Sequence, residues 1–339
     1  MYKFCVKGDI SANSFFSSSI IINNLNEGAK KAGLYDENGK TVVYSTTCND
    51  YGHKTDAFIC VYETVLPFPV IQMANGRPII GCSLDNLFFI TDSYPYDKVG
   101  YFPLGVDTEI FKPVPRSASE KFRFLHFSES NARTGAEVVL HAFCTLFKGD
   151  PTVELYLKDR MATDEFKNYV KAVASTYKAN VIHDTDNTQS FDHVKTIYSN
   201  SDVAISISRS STWNMPALEA MAMGKPLIGI KYCGMDEFLR HEFNGIAVEH
   251  NIQVITQEHL NFLNSIGCRN HMFPLNSYTR PAYWAETGNK DLMNAMYRMR
   301  HAEKDWLDYL SKNAVTTAKQ FTWEKSAVLL SCELTRLLK

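Results

Sequence analysis

The sequence predicts an α/β protein made of two consecutive parallel-sheet units. Three observations carry that reading. The chain has 339 residues, which at ~150 residues per domain amounts to about two domains. Short apolar runs alternate with helical stretches over residues 1–113, and the alternation restarts after residue 122. Between the two, residues 112–121 (KPVPRSASEK) concentrate proline, serine and charge as linkers do.

In chain order, 2–7 reads as a strand and 9–14 as a polar loop. Ile20, Ile21, Leu25 and Ala29 recur at helical spacing, which predicts a helix over 19–32 that stops at Gly33. Residues 41–44, 57–62, 78–82 and 99–102 are β-branched or aromatic strand candidates, with a short helix over 67–74. These strands are apolar throughout rather than alternating, as strands of a parallel sheet covered on both faces are. In the second half, strands at 122–127, 154–157, 180–182, 203–207, 226–230 and 246–248 are separated by helices at 136–147, 164–177, 191–198, 216–223 and 236–241. Residues 250–288 break the rhythm, with one helical piece at 256–263, and helices at 290–299, 306–319 and 323–338 close the chain. A ligand of two such sheets sits at the carboxyl ends of their strands.

Composition narrows the function classes. With 35 basic against 37 acidic residues, 45% apolar and 21% charged, the chain is globular rather than disordered, and not a globally basic nucleic-acid binder. No apolar run approaches the ~18 residues that span a bilayer. The start, MYKFCVKGDISANS, turns polar too early for a signal peptide. Eight cysteines form no CxxC pair, and several lie in apolar strand-like runs. That pattern reads as free thiols in a reducing compartment, without a disulfide frame or zinc ribbon.

The chemistry concentrates in residues 203–230, VAISISRSSTWNMPALEAMAMGKPLIGI: strand, polar loop, helix, glycine stop, strand. The loop 208–214 opens directly onto a helix with Pro216 in its first turn, where a missing N–H is harmless. Free N–H groups and the helix dipole there favour an anion. Glu219, read as lying in that first turn, is placed to accept hydrogen bonds from sugar hydroxyls; the plain alternative is an acid stabilised by the dipole. Asp184-Thr185-Asp186 is a DxD pattern, but it falls midway through the second sheet, and no HxxxH spacing accompanies it. His126 reads as a core or pocket-wall residue. Trp284 and Tyr283 read as anchors of an irregular segment before stacking platforms.

The segment PALEAMAMGKPLIG resembles the signature helix of the retaining glycosyltransferases of family 4, which have the GT-B fold: two Rossmann-like domains facing a central cleft. Other landmarks fall in the family's order: FPLGVDTEIFKP at 102–113, Arg133-Thr134-Gly135 followed by AEVVLHAF, TIYSNSDVAIS at 196–206, CGMDEFLRHEFNGIAV at 233–248 and NAVTTAKQFTWEKSA at 313–327. The resemblance implies an acceptor-side domain over 1–113 and a nucleotide-sugar domain over 122–319 with an irregular insertion at 250–288. The C-terminal helix, 320–339, would cross back to the first domain.

It implies further that Glu219 binds the donor ribose, and that the backbone of Thr212, Trp213, Asn214 and Met215 faces the diphosphate or the sugar. Arg133 would neutralise the diphosphate charge that builds as the sugar departs, alone or with Arg209 or Lys158. The departing phosphate would help deprotonate the acceptor, so no metal and no further cofactor beyond a UDP- or GDP-sugar is required. Acceptor-side candidates are Asp9, Asn13, Ser14, Ser83 and Asp85; for Ser83 and Asp85 a helix cap is the equal alternative. The pattern departs from the family's at three places. Ser211 stands where a glutamate usually reaches a donor-sugar hydroxyl, which points to a donor other than the usual glucose or mannose, a pentose included, or to a water in the gap. Thr134 stands at a lysine position, and Ser128 and Glu129 stand where a second basic residue is usual.

The expected activity is a hexosyl- or pentosyltransferase acting on a glycan or lipid, with a small molecule as a further class of acceptor. Two alternatives accompany it. One is a phage-type glycosyltransferase acting on hydroxymethylated DNA bases in a host cytoplasm, suggested by Arg269, Lys290, Arg298 and Arg300 interleaved with Tyr278, Tyr283, Trp284 and Tyr297. The other is a non-catalytic nucleotide-sugar- or partner-binding module on the same fold. The expected location is the cytoplasm or its membrane surface; oligomeric state leaves no signal in the sequence.

Overall fold

The computed structural model describes residues 1–8, 17–46, 55–60, 74, 76–84, 90–91, 94–115, 121–187, 190–268 and 283–339. The chain divides into two compact units: residues 1–109 with 211–213 and 318–339, and residues 110–210 with 214–317. The helix expected over 67–74 lies outside the described residues except for Ala74.

The first unit is a five-stranded parallel sheet in sequential order: β1 (Cys5–Gly8), β2 (Val42–Thr46), β3 (Ala57–Cys60), β4 (Ile79–Gly81) and β5 (Val99–Tyr101). Helix α1 (Ser17–Lys31) turns Ile21, Ile22, Leu25 and Ala29 into the core, the face its spacing predicts. The same helix blunts the open edge of β1. Asn26 donates its amide to the Val6 carbonyl at 2.9 Å and accepts the Val6 N–H at 2.8 Å, so a side chain completes the ladder where no strand follows.

The last helix of the chain, Trp323–Leu337, belongs to this unit although the second unit precedes it in sequence. Two glycines let it dock. A Cβ on Gly28 would lie 2.3 Å from the Trp323 carbonyl oxygen, and one on Gly105 would lie 2.4 Å from the Trp323 nitrogen. Hydrogen bonds then fix its register: Ser331 Oγ to the Tyr2 carbonyl at 2.7 Å, and Arg336 Nη2 to the Val99 carbonyl at 2.7 Å.

The second unit is a six-stranded parallel sheet in the order β11-β10-β9-β6-β7-β8. Its strands are β6 (Phe122–Ser128), β7 (Val153–Asp159), β8 (Val181–Asp184), β9 (Val203–Ser206), β10 (Leu227–Ile230) and β11 (Gly245–Val248). The connecting helices are α2 (Ala136–Leu146), α3 (Asp164–Tyr177), α4 (Phe191–Ser199), α5 (Met215–Ala222) and α6 (Met235–Phe238). Both β10 and the centre of β6 are fully enclosed, which explains their unbroken apolar runs. From β6 the chain moves to β7 on one side; from β9 it moves to β10 on the other. The sheet order therefore reverses between β6 and β9, and the ends of these two strands are where a crevice for a ligand is expected in such a sheet.

Residues 250–288 hold more order than their sequence suggests. Helix α7 (Gln257–Ser265) is present, and β12 (Asn251–Val254) pairs antiparallel with β13 (Tyr283–Glu286). The ribbon escapes a sequence reading because each strand has four residues and the two are far apart in the chain. Helices α8 (Asn289–Arg300), α9 (Lys304–Ala318) and α10 (Trp323–Leu337) follow. Among the described residues no helix is long and apolar enough to cross a membrane.

Candidate active site

Two loops meet at the reversal point of the second sheet. The turn after β6 carries Arg133 and reaches Gly135, whose φ of 71° starts α2 in the left-handed region. A Cβ there would press on Ile207 at 3.1 Å, so the turn needs glycine on both counts. The loop after β9 lies alongside: the Arg209 N–H donates to the Arg133 carbonyl at 2.8 Å. The Arg133 guanidinium faces the Ser210 carbonyl at 3.4 Å and the Ser208 hydroxyl at 3.5 Å.

Asn214 turns this loop into α5. It adopts φ 62°, ψ 62°, a conformation asparagine tolerates better than most residues, and its side-chain amide donates to Ser206 Oγ at 2.6 Å. Its carbonyl accepts from Ala217 N at 3.1 Å, so α5 starts tightly at Met215 with Pro216 next. Gly224, at φ 74°, closes the helix as its position in the sequence predicts.

Glu219 is the fifth residue of α5, one residue beyond the first turn expected for it. It is partly buried, and its Oε2 accepts a hydrogen bond from the Tyr198 hydroxyl at 2.9 Å. Tyr198 comes from α4, is fully buried, and also approaches the Pro216 carbonyl at 3.0 Å. Burial lifts the Glu219 carboxyl from 4.5 to about 7, with the Tyr198 hydroxyl pulling the other way. Burial and the facing carboxylate together push the Tyr198 phenol well above its ordinary value, so it remains a donor. The result is a carboxylate beside a helix start, in a low-dielectric surrounding, near neutral pH poised between its two forms.

Arg133 is largely buried. Its side chain is 16% exposed and pairs with Glu129 at 3.5 Å. The two other cations suggested for the diphosphate are also paired. Arg209 is 2% exposed and forms ion pairs with Glu137 and with Glu286, the latter at 2.6 Å. It also bonds the Ala132 carbonyl and lies 4.9 Å over the Trp284 ring. Burial disfavours its charge, but Glu137 and Glu286 more than restore it, so Arg209 is a buried, doubly paired cation. Lys158 is 3% exposed and held by Asp184 at 3.0 Å and the Asp186 carbonyl at 2.6 Å.

That pairing also explains the DxD pattern. Asp184 ends β8 instead of lying in a loop, and accepts from Tyr156 at 2.6 Å, from Lys158 and from the Asp186 N–H. Burial raises its pKa, but these bonds outweigh burial and hold it below the usual carboxylate range. Among the described residues no group of three metal-ligating side chains occurs.

The remaining sequence candidates divide. Ser211 and Met215 are partly exposed at the loop, while Thr212 and Trp213 are buried. Trp213 meets Phe321 edge-to-face at 5.5 Å inside the first unit, so its ring is a packing element. Ser83 is fully buried just after β4. Asp9, Asn13, Ser14 and Asp85 lie outside the described residues. His126 is buried, its Nδ1 meets the Ile205 carbonyl at 2.9 Å, and burial lowers its pKa, so it is a neutral core histidine. Trp284 is fully buried between Arg209 and His259 and anchors its segment. Of the proposed basic face, Arg298 pairs with Glu242, and Arg300 covers the Phe122 ring; Arg269 and Tyr278 lie outside the described residues.

Sequence reasoning missed Tyr198 as the partner of Glu219, and Glu137 and Glu286 as the partners of Arg209. The signal for Tyr198 was a hydroxyl-bearing ring on the apolar face of α4, one strand away from the loop. For the Arg209 cluster there was none, since Glu286 lies 77 residues away.

Comparison with known proteins now bears on this geometry. Residues 107–270 match the family model for glycosyl transferases, group 1. No curated protein sequence matches the chain. A glycosyltransferase from Rickettsia africae superposes with a TM-score of 0.65 at 15% identity, covering 98% of this chain and 84% of that one. HepE from Anabaena, solved with UDP and glucose, gives 0.67 at 11% identity over 99% and 100%. Sucrose-phosphate synthase from Thermosynechococcus elongatus gives 0.65 at 15% identity over 91% and 76%. The turn with Arg133 and helix α5 with Glu219 fall within the matched residues, and the chain shares the GT-B fold of these structures.

Proposed function

We propose that the protein is a retaining, metal-independent glycosyltransferase of family 4 that moves a sugar from a nucleotide sugar to a hydroxyl of a glycan or lipid. The observation that carries this reading is the pairing of the Arg133 turn with the loop after β9, which leads to α5, the helix that bears Glu219. Glu219 accepts the ribose hydroxyls of the donor. Its free energy of ionisation falls when those hydroxyls donate to it, so the donor favours the charged form. The start of α5 and Arg133 take the diphosphate, whose charge grows as the glycosidic bond breaks, and stabilising that growing charge accelerates the step. The departing phosphate oxygen takes the acceptor proton, so no side-chain base is needed.

Arg133 supplies the positive charge that a metal would otherwise bring, and Asp184 is already engaged by Lys158 and Tyr156. The donor is a UDP- or GDP-sugar; HepE, which shares the fold, was solved with UDP and glucose. Ser211 is too short and carries no charge to replace a glutamate at the donor sugar, so the preferred sugar is one that does not need that contact. The test is a panel of nucleotide sugars incubated with wild type and Ser211→Glu in excess EDTA. Turnover that survives the chelator, with a preference that moves in Ser211→Glu, supports the reading. Complete loss restored by manganese refutes metal independence, and an unchanged preference shows that position 211 does not read the sugar.

A further inference from the structure

The charge beside the donor crevice is not carried by Arg133 alone. Glu129 follows β6 and offers one carboxylate oxygen to each of two guanidiniums: Oε2 to Arg133 at 3.5 Å and Oε1 to Arg160 in a close pair. Arg160 stands one residue beyond β7 and donates its backbone N–H to the Ser128 carbonyl at 3.2 Å. The turn between the partners is fixed. Ser130, buried and at φ 46°, gives its hydroxyl to Asp159, the residue before Arg160. Asp159 in turn accepts the Met161 N–H at 3.1 Å. The ends of β6 and β7 are thus tied together, and Glu129 is held between two cations whose side chains are 16% and 26% exposed.

Arg133 and Arg160 bring two guanidiniums to a single shared carboxylate. Two guanidiniums that share one carboxylate are also close enough to share one diphosphate, which presents the same kind of acceptor oxygens in greater number and with more charge.

We propose that Arg160 is the second cation of the donor site, and that Glu129 is an internal anion which the donor diphosphate displaces from both arginines. The assignment rests on the nucleotide-sugar reading above and deepens it. Before binding, Glu129 keeps the two charges paired and in place, so the site is preorganised without burying unpaired guanidiniums. On binding, the carboxylate yields its positions to phosphate oxygens and turns to solvent. Glu129 therefore lowers donor affinity, and the exchange makes product release easier.

Calorimetric titration with UDP and with uridine separates the phosphate contribution from the rest. In Arg160→Met, UDP binding should weaken by about tenfold or more while uridine binding is unchanged, as expected for losing a charge-assisted contact. In Glu129→Gln, which keeps hydrogen-bonding capacity, UDP should bind about three- to tenfold tighter, again with uridine unchanged, because a competing charge is gone. The double variant should bind UDP better than Arg160→Met, since Arg133 is no longer monopolised by Glu129. Equal weakening of UDP and uridine in Arg160→Met would make Arg160 a merely structural residue, and weaker UDP binding in Glu129→Gln would overturn the displacement. UDP binding unaltered in both variants overturns the assignment while the functional reading stands. A wild type that binds neither UDP nor GDP overturns that reading, and this assignment with it.

Discussion

Replacing Glu219 by glutamine should stabilise the protein while disabling it. The folded carboxyl titrates at about 7 instead of 4.5 because burial penalises its charge. Between these values the unfolded chain has released the proton and the folded protein still holds it. Stability is therefore lost as pH rises through that window, and the loss is complete above about pH 7. At about 1.4 kcal/mol per tenfold change in acidity, the penalty amounts to roughly 3 kcal/mol. Glutamine cannot ionise, and its carbonyl still accepts the Tyr198 hydroxyl at the position Oε2 occupies. Urea unfolding followed by tryptophan fluorescence at pH 4.5, 6 and 8 measures the difference. Glu219→Gln and wild type should be nearly equal at pH 4.5, and the variant should lead by about 3 kcal/mol at pH 8. Donor turnover of the variant should fall at the same time, because a neutral amide is a weaker acceptor for ribose hydroxyls. A stability difference that does not change with pH, or a wild type more stable at pH 8, would show that Glu219 is not held against its charge.

Arg133→Ala should lower turnover by a factor equivalent to about 2–4 kcal/mol, in line with removing one preorganised electrostatic donor. Because its side chain is mostly buried and paired with Glu129, the variant should also lose about 1 kcal/mol of stability, read from the same urea curves. An unchanged rate would remove Arg133 from the donor site. Arg209→Met should destabilise the second unit by about 3–5 kcal/mol, since it strands Glu137 and Glu286 in a buried setting. If Arg209→Met folds as well as wild type and fails only in donor binding, Arg209 is a ligand after all.

Much of the scaffold was legible because parallel strands buried on both faces write themselves as apolar runs. The helix over Asp164–Tyr177 matches the periodic reading residue for residue, and α5 carries Pro216 in its first turn and is followed by Gly224. The glycine stop and the loop before α5 were legible for the same reason: their chemistry is local. What escaped was set by partners distant in sequence. Glu129 and Arg133 are neighbours in the chain, but the meaning of Glu129 depends on Arg160 from the next strand. Arg209 looked like a cation in a polar loop, and only Glu137, Glu286 and Trp284 make it a core residue. Asp184 looked like half of a metal motif until Lys158 and Tyr156 were found on the adjacent strand. The β12–β13 ribbon failed for a related reason, since the pairing of two four-residue strands is not a local property.

The central claim is that a nucleotide sugar is cleaved at this crevice with its anomeric configuration kept. Proton NMR of the slow hydrolysis of an α-linked nucleotide sugar, the one preferred in the donor panel, tests it most directly. The account predicts that the free sugar appears first as the α-anomer, only later equilibrating, and that Arg133→Ala and Glu219→Gln suppress its release. Initial release of the β-anomer, or release that both variants leave untouched, would contradict it.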